Sequence, residues 1–321
     1  MLKRSTWKIA RVVTAVMMMA SLNVAVAAEN PVTHATTVYK YLKVDGVNIF
    51  YREAGPASAP TILLLHGFPS SSRMFDKLIP LLADQYHLVA PDYPGFGQSD
   101  APPRENFSYT FENITNVIDK FTQALSLNKY ALYVNDYGGP VGFRLALTHP
   151  ERVTAIVVQN AVVHNDGLDE KRWAVPRAFW ADHAKYEDQF RQRLISPQGT
   201  KARHIGNSPH PERYSPDLWD DELAHLNKPG IAQIQVELFY DYRTNVAAYP
   251  AWQDYLRKHR PPLLVVWGKY DPGFALPEVE AYKREVPDAE VHILEAGHFA
   301  LDESVDEIAA IMRPFLAKTL Q

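Results

Sequence analysis

Short apolar runs alternate along this chain with longer amphipathic stretches. Residues 38–44 and 47–53 flank Asp45-Gly46, a two-residue turn signal, and predict a β-hairpin. Thr61-Ile62-Leu63-Leu64-Leu65 is almost wholly apolar, which suits a strand in the middle of a sheet. Behind it, Met74, Phe75, Leu78, Ile79, Leu81 and Leu82 recur at helical spacing. Residues 86–90 read as a strand, 114–125 as a helix, and the run ending in Leu132-Tyr133-Val134 as the next strand. A helical pattern from Pro140 to Leu147 follows, then a strand over 153–158.

The alternation breaks after about residue 163. Residues 164–250 hold tryptophans, tyrosines, many charges and helical patterns, with no clear strand. Strands resume with Leu263-Leu264-Val265-Val266-Trp267 and with residues 291–294, separated by a helix carrying Val279, Tyr282 and Lys283. A last helix holds Val305, Ile308, Ala309, Ile311, Met312 and Phe315. Strands alternating with helices mean parallel βαβ units, so the fold class is α/β, a mostly parallel sheet with helices on both faces. The expected organisation is a core of residues 38–163 and 251–321, interrupted by a helical cap over 164–250.

The first residues carry a different pattern. Lys3, Arg4, Lys8 and Arg11 precede an apolar, Met-rich stretch, and Ala25-Val26-Ala27 offers small residues at the spacing of a signal cleavage site. Residues 1–27 therefore read as a bacterial-type signal peptide, with the mature protein periplasmic or secreted and not held in the membrane. The chain has 321 residues, a net charge of -4 and no cysteine. The charge argues against nucleic acid as a partner. Lack of cysteine removes disulfides, thiol catalysis and cysteine metal sites.

Candidate chemistry centres on Val134-Asn135-Asp136-Tyr137-Gly138-Gly139. A strand ends in Asn-Asp, two glycines follow, and a helix begins. Strand, sharp turn and helix make the geometry of a nucleophile elbow, whose apex residue stands out above the sheet. Ser is the usual apex; here it is Asp136, and a carboxylate attacks carbon directly to form an ester. The same residues also read as a plain helix N-cap at Asp136. Three further positions lie where strands end, the place where α/β sheets collect their chemistry: Phe68 in His66-Gly67-Phe68-Pro69, Asp271 after Trp267, and His298 in Gly297-His298-Phe299. Nucleophile, acid, histidine is the chain order of the α/β hydrolases.

With Asp92-Tyr93-Pro94-Gly95-Phe96-Gly97-Gln98-Ser99 added to these motifs, residues 38–321 resemble the α/β-hydrolase superfamily, in its epoxide hydrolase and haloalkane dehalogenase branch. The resemblance implies that Asp136 attacks carbon, that His298 then activates water against the resulting ester, and that Asp271 orients the imidazole. It implies an oxyanion hole made by the backbone N–H groups of Phe68 and Tyr137, and neither a metal nor an organic cofactor. His66, Asp92 and Ser99 read as structural loop residues.

The bond to be cut divides the motifs. Phe68 is of the epoxide hydrolase type, and two cap tyrosines would then donate hydrogen bonds to the epoxide oxygen: Tyr186 and Tyr249, with Tyr240 and Tyr242 as rivals. Val134-Asn135 looks more like the dehalogenase branch, where indole N–H groups cradle the halide; Tyr137 stands where one such tryptophan would be, and Trp173 and Trp180 are cap alternatives. The expectation is an epoxide hydrolase acting on a small organic substrate and water. The alternatives are a haloalkane dehalogenase, an esterase-like hydrolase, or a binding protein that uses the fold without catalysis.

Overall fold

The computed structural model describes residues 36–320; the signal-peptide reading lies outside them. Eight strands form one sheet in the order β1-β2-β4-β3-β5-β6-β7-β8. β1 (Val38–Val44) and β2 (Val47–Ala54) make the hairpin, with Asp45 at φ 48° and Gly46 at φ 87°. Those two left-handed residues give the turn the twist its strands need. β2 runs antiparallel to β4 (His87–Pro91). From there β3 (Thr61–Leu65), β5 (Tyr130–Asn135), β6 (Val153–Gln159), β7 (Leu263–Gly268) and β8 (Glu290–Leu294) are all parallel.

The period of two explains why these strands are apolar throughout. Leu63, Leu65, Leu132, Val134, Ile156, Val158 and Val265 point to one face of the sheet. There they meet α2 (Phe111–Ala124) and α3 (Gly138–Thr148). Their neighbours Ile62, Leu64, Ala131, Tyr133, Ala155, Val157 and Val266 point to the other face. That face is covered by the short α1 (Ile79–Leu82) and by α11 (Val305–Thr319). With both faces covered, neither set of side chains meets water.

The apolar pattern at residues 74–82 is not one helix. It splits into a 3₁₀ turn over Ser72–Phe75 and α1, because Pro80 has no N–H to offer an i−4 carbonyl and fits only the first turn of a helix.

Between β6 and β7 the chain forms no strand. It makes α4 (Ala174–Ala181), α5 (His183–Leu194), α6 (Pro197–Ile205), α7 (Asp217–Leu226), α8 (Ile231–Asp241) and α9 (Arg243–His259). α9 runs through residue 250, where the sequence pattern placed the return to the core. Its buried Tyr249, Trp252 and Leu256 join the main core cluster. α10 (Pro277–Glu285) then links β7 to β8. Among the described residues no helix is long and apolar enough to cross a membrane.

Candidate active site

β5 delivers Asp136 at its C-terminal end, at φ 48°, ahead of α3. A left-handed backbone at a non-glycine residue costs energy, and the surroundings must hold it there. Two contacts do. The Asp136 N–H donates to the Asn160 carbonyl at 3.2 Å, and Gly139 N–H returns to the Asp136 carbonyl at 2.9 Å. Glycine is required on both sides of the turn. A Cβ at Gly138 would lie 2.1 Å from the Leu65 carbonyl oxygen, and one at Gly67 would lie 2.4 Å from the Asp136 Cβ. The elbow and the His66–Pro69 turn are thus pressed together, and the Phe68 N–H donates to Asp136 Oδ1 at 2.8 Å.

Across from Asp136, His298 Nε2 is 3.7 Å from Asp136 Oδ2. Its other nitrogen, Nδ1, donates to Asp271 Oδ2 at 2.7 Å. Asp271 is held in turn: Gly273 and Phe274 N–H groups donate to its Oδ1 at 2.6 and 2.9 Å, and Asn160 Nδ2 donates to its Oδ2 at 2.8 Å. The His298 carbonyl accepts from Gln159 Nε2 at 3.2 Å. Elbow, acid and histidine, separated by up to 162 residues in sequence, therefore share one buried cluster.

The electrostatics follow from that burial. Desolvation raises the pKa of Asp136, opposed by the nearby His298 charge and by the Phe68 and Tyr137 backbone N–H groups, which favour the ionised form. For His298 burial disfavours the imidazolium, but the charge and hydrogen bond of Asp271, then the charge of Asp136, outweigh it and hold the pKa above that of an ordinary histidine.

A cavity of about 260 Å³ opens above this cluster, lined by Phe68, Asp136, Tyr137, Asp271 and His298 from the core and by Trp173, Arg203 and Tyr242 from the cap helices. Tyr242 sits at the junction of α8 and α9. Its neighbours tie that junction to the core: Asp241 Oδ2 accepts from the Phe111 N–H at 2.8 Å, and Asn245 Oδ1 accepts from Arg144 at 2.7 Å. The hydroxyl of Tyr137 is buried with no hydrogen-bond partner among the described residues, and that of Tyr242 is buried beside the hydroxyl of Tyr249. Burial raises both phenols well above their usual pKa, so both stay protonated and able to donate.

Tyr186 and Tyr249 are placed elsewhere. Neither lines the cavity. Tyr186 is half-buried on α5 with Lys185 over its ring, and Tyr249 is buried against Trp252 at a ring distance of 5.5 Å. The cap indoles are also committed: Trp173 Nε1 donates to the Gly273 carbonyl at 3.0 Å and Trp180 Nε1 to the Phe239 carbonyl at 2.8 Å. His66 accepts the Tyr93 N–H at Nε2 and donates from Nδ1 to the Gly67 carbonyl; burial lowers its pKa to about 3, which leaves it neutral and structural. Asp92 is a loop clamp, accepting from the Ser72 and Gln98 N–H groups at 2.7 and 2.8 Å, while Ser99 Oγ donates to its carbonyl at 2.7 Å.

Asn160 is the residue that sequence reasoning missed. It follows β6 directly, at φ 42°, accepts the Gly268 N–H at 2.8 Å, and touches both the elbow and Asp271. The signal was available: a polar residue at the end of an apolar strand, on the sheet edge where chemistry collects.

Sheet order, elbow and histidine loop together are the layout of an α/β hydrolase. The chain belongs to that family, whose model, described as the alpha/beta hydrolase fold, matches residues 60–305. It is 42% identical over 269 residues to an uncharacterized hydrolase of Saccharomyces cerevisiae, covering 83% of this chain and 92% of the yeast protein. It is 29% identical over 270 residues to a haloalkane dehalogenase of Mycobacterium marinum, covering 82% and 86% of the two chains. Among solved structures it is similar to the epoxide hydrolase CorEH, with a TM-score of 0.73 over 88% of this chain and 99% of that one. Identity there is 18%, so the likeness is one of fold.

Proposed function

We propose that this hydrolase opens epoxides through an alkyl-enzyme ester on Asp136. The observation that carries the reading is the carboxylate at the elbow apex, one oxygen on the Phe68 N–H and the other facing His298. Oδ2, the oxygen not bonded to Phe68, attacks an epoxide carbon. The ring C–O bond breaks, and its electron pair goes to the epoxide oxygen, which takes hydrogen bonds from Tyr137 and Tyr242. Those bonds strengthen as charge develops, so they lower the barrier rather than merely holding the substrate.

Esterification removes the Asp136 charge, one of the influences that keep His298 protonated. With that influence gone the imidazole loses its proton more readily, so more of it stands in the neutral form that can accept a proton from water. It takes a proton from water, and the hydroxide attacks the ester carbonyl. The Phe68 and Tyr137 N–H groups receive the oxyanion. Its collapse breaks the bond from the acyl carbon to the alkyl oxygen, which takes the proton of the added hydroxyl. The proton held by His298 passes to the oxygen freed by ring opening, so the diol and the Asp136 carboxylate are released. Asp271 holds the imidazole in the tautomer that leaves Nε2 facing the ester.

A free phenol donor at Tyr137 and a second phenol at Tyr242, with both cap indoles engaged by backbone carbonyls, favour an epoxide oxygen over a halide as the leaving atom. Resemblance to a haloalkane dehalogenase supports halide displacement as the second reading, by the same first step. A panel of epoxides and haloalkanes scored for diol and halide release separates them. His298→Gln tests the mechanism common to both. Attack still occurs and hydrolysis stalls, so a peptide alkylated at Asp136 accumulates and is read by mass spectrometry. A folded His298→Gln protein that forms no adduct with any substrate the parent consumes removes Asp136 as nucleophile.

A further inference from the structure

The wall of the cavity is aromatic on most sides, yet three arginines reach it from the cap: Arg172 just ahead of α4, Arg193 near the end of α5, and Arg203 in α6. Among the described residues no carboxylate lies within 4.0 Å of any of the three guanidinium groups; no ion pair is formed by them. Arg172 and Arg193 are exposed, and Arg172 donates to the Asp271 carbonyl at 3.0 Å. Arg203 is deeper. Its guanidinium lies 4.9 Å over the ring of Phe68, the residue whose N–H holds Asp136.

Arg203 has donors to spare. One nitrogen donates to the Leu194 carbonyl at 3.0 Å and another to Thr200 Oγ1 at 3.4 Å; among the described residues the remaining N–H groups have no acceptor. Burial lowers its pKa to about 10, partly offset by the charges of Glu222 and then Asp136, so it is still a cation at neutral pH. A half-buried cation with free donors is costly unless something pairs with it. The two carboxylates that line the cavity do not: Asp136 faces His298, and Asp271 is taken up by His298, Asn160, Gly273 and Phe274. Alkylation would also remove the charge of Asp136, leaving the cavity more positive still.

We propose that Arg203 is the binding site for a carboxylate carried by the substrate, so that the enzyme opens small epoxy carboxylates in preference to neutral epoxides. The carboxylate takes the free side of the Arg203 fork, and the aromatic wall takes the carbon chain between carboxylate and ring. Arg172 and Arg193 draw the anion to the mouth. A cavity of about 260 Å³ keeps the substrate small. The substrate-class statement rests on the epoxide reading; the anion site does not.

Two measurements keep the statements apart. The first is binding of butyrate and of its uncharged amide, butyramide, to the resting protein at fixed ionic strength, followed by calorimetry. Butyrate binds at least about tenfold tighter than butyramide, the worth of a hydrogen-bonded charge. Arg203→Gln abolishes that preference and Arg203→Lys restores part of it. Equal binding of the two, or a preference that survives in folded Arg203→Gln, overturns the anion site. The second is kcat/KM for oxiranylacetate against its amide. The parent prefers the anion about tenfold or more, and Arg203→Gln collapses the ratio. If both epoxides are turned over with no preference, the epoxide reading stands and the substrate-class inference falls. If butyrate binds through Arg203 but no epoxide is consumed, the anion site stands and the epoxide reading falls.

Discussion

At the scale of single residues, the cap tyrosines are the sharpest test. Sequence spacing put Tyr186 and Tyr249 forward, with Tyr240 and Tyr242 only as rivals, because a helix pattern tells which side chains share a face but not which face lies over the elbow. Tyr242 alone of the four lines the cavity, its hydroxyl buried beside that of Tyr249. Tyr242→Phe therefore lowers kcat on epoxides by roughly a hundredfold, the scale of removing one donor from a developing oxyanion, with little change in KM. Tyr186→Phe, at a half-buried position that does not line the cavity, leaves kcat within about twofold of the parent, since its hydroxyl is not among the groups that face the substrate. Steady-state kinetics on the two variants decides. An unaffected Tyr242→Phe protein would leave ring opening to Tyr137 alone.

At the scale of elements, the elbow depends on how closely α3 and β3 approach. The space at Gly138 is closed by a main-chain carbonyl, the Leu65 oxygen, which has no rotamer to move away. Gly138→Ala thus forces either β3 or the elbow to shift. It costs about 3 kcal/mol or more of stability, as strain from overpacking does, and it moves Asp136 off the Phe68 N–H. Urea unfolding and alkylation rate fall together; a variant of parental stability and activity would mean the turn is looser than the geometry requires. Glycine at this place was readable from sequence as a turn requirement. So were the strands, since five of them are apolar on both faces and one ends in the elbow. The hairpin was readable from Asp45-Gly46 because only a left-handed turn suits that pair. The Asp271 and His298 positions followed from where β7 and β8 end. What escaped was set by tertiary contact. α9 carries a cap and a core segment on one unbroken helix, so no composition shift marks the return at residue 250. Asn160 and Arg203 act through partners distant in sequence, and a single polar residue at a strand or helix end gives no hint of whom it meets.

At the scale of the whole molecule, cap and core are joined by a buried ionic cluster that also backs the site. His204 on α6 bonds Glu222 on α7 at 2.9 Å and Asp302, in the turn beyond His298, at 2.8 Å, and its ring stacks on Phe299 at 4.7 Å. Burial alone would depress its pKa. The charge of Glu222, the hydrogen bonds of Asp302 and Glu222, and the charge of Asp302 reverse the sign and push it up to about 10. A histidine whose folded pKa exceeds its unfolded value of about 6.5 stabilises the fold fully below that unfolded value, and the contribution disappears as pH rises toward the folded one. His204→Gln removes one partner of a buried pair, which costs about 3 kcal/mol at pH 6. Between about pH 6.5 and 10 the parent loses this contribution while His204→Gln has none to lose, so the stability gap between them narrows. Urea unfolding of both proteins at the two ends of that range measures the gap. Because Asp302 follows His298 by four residues, the same variant should also loosen the histidine loop, seen as slower release of the Asp136 ester than of the parent's. A gap that stays constant with pH would mean that His204 is neutral in the fold and that the cluster holds cap to core by packing alone.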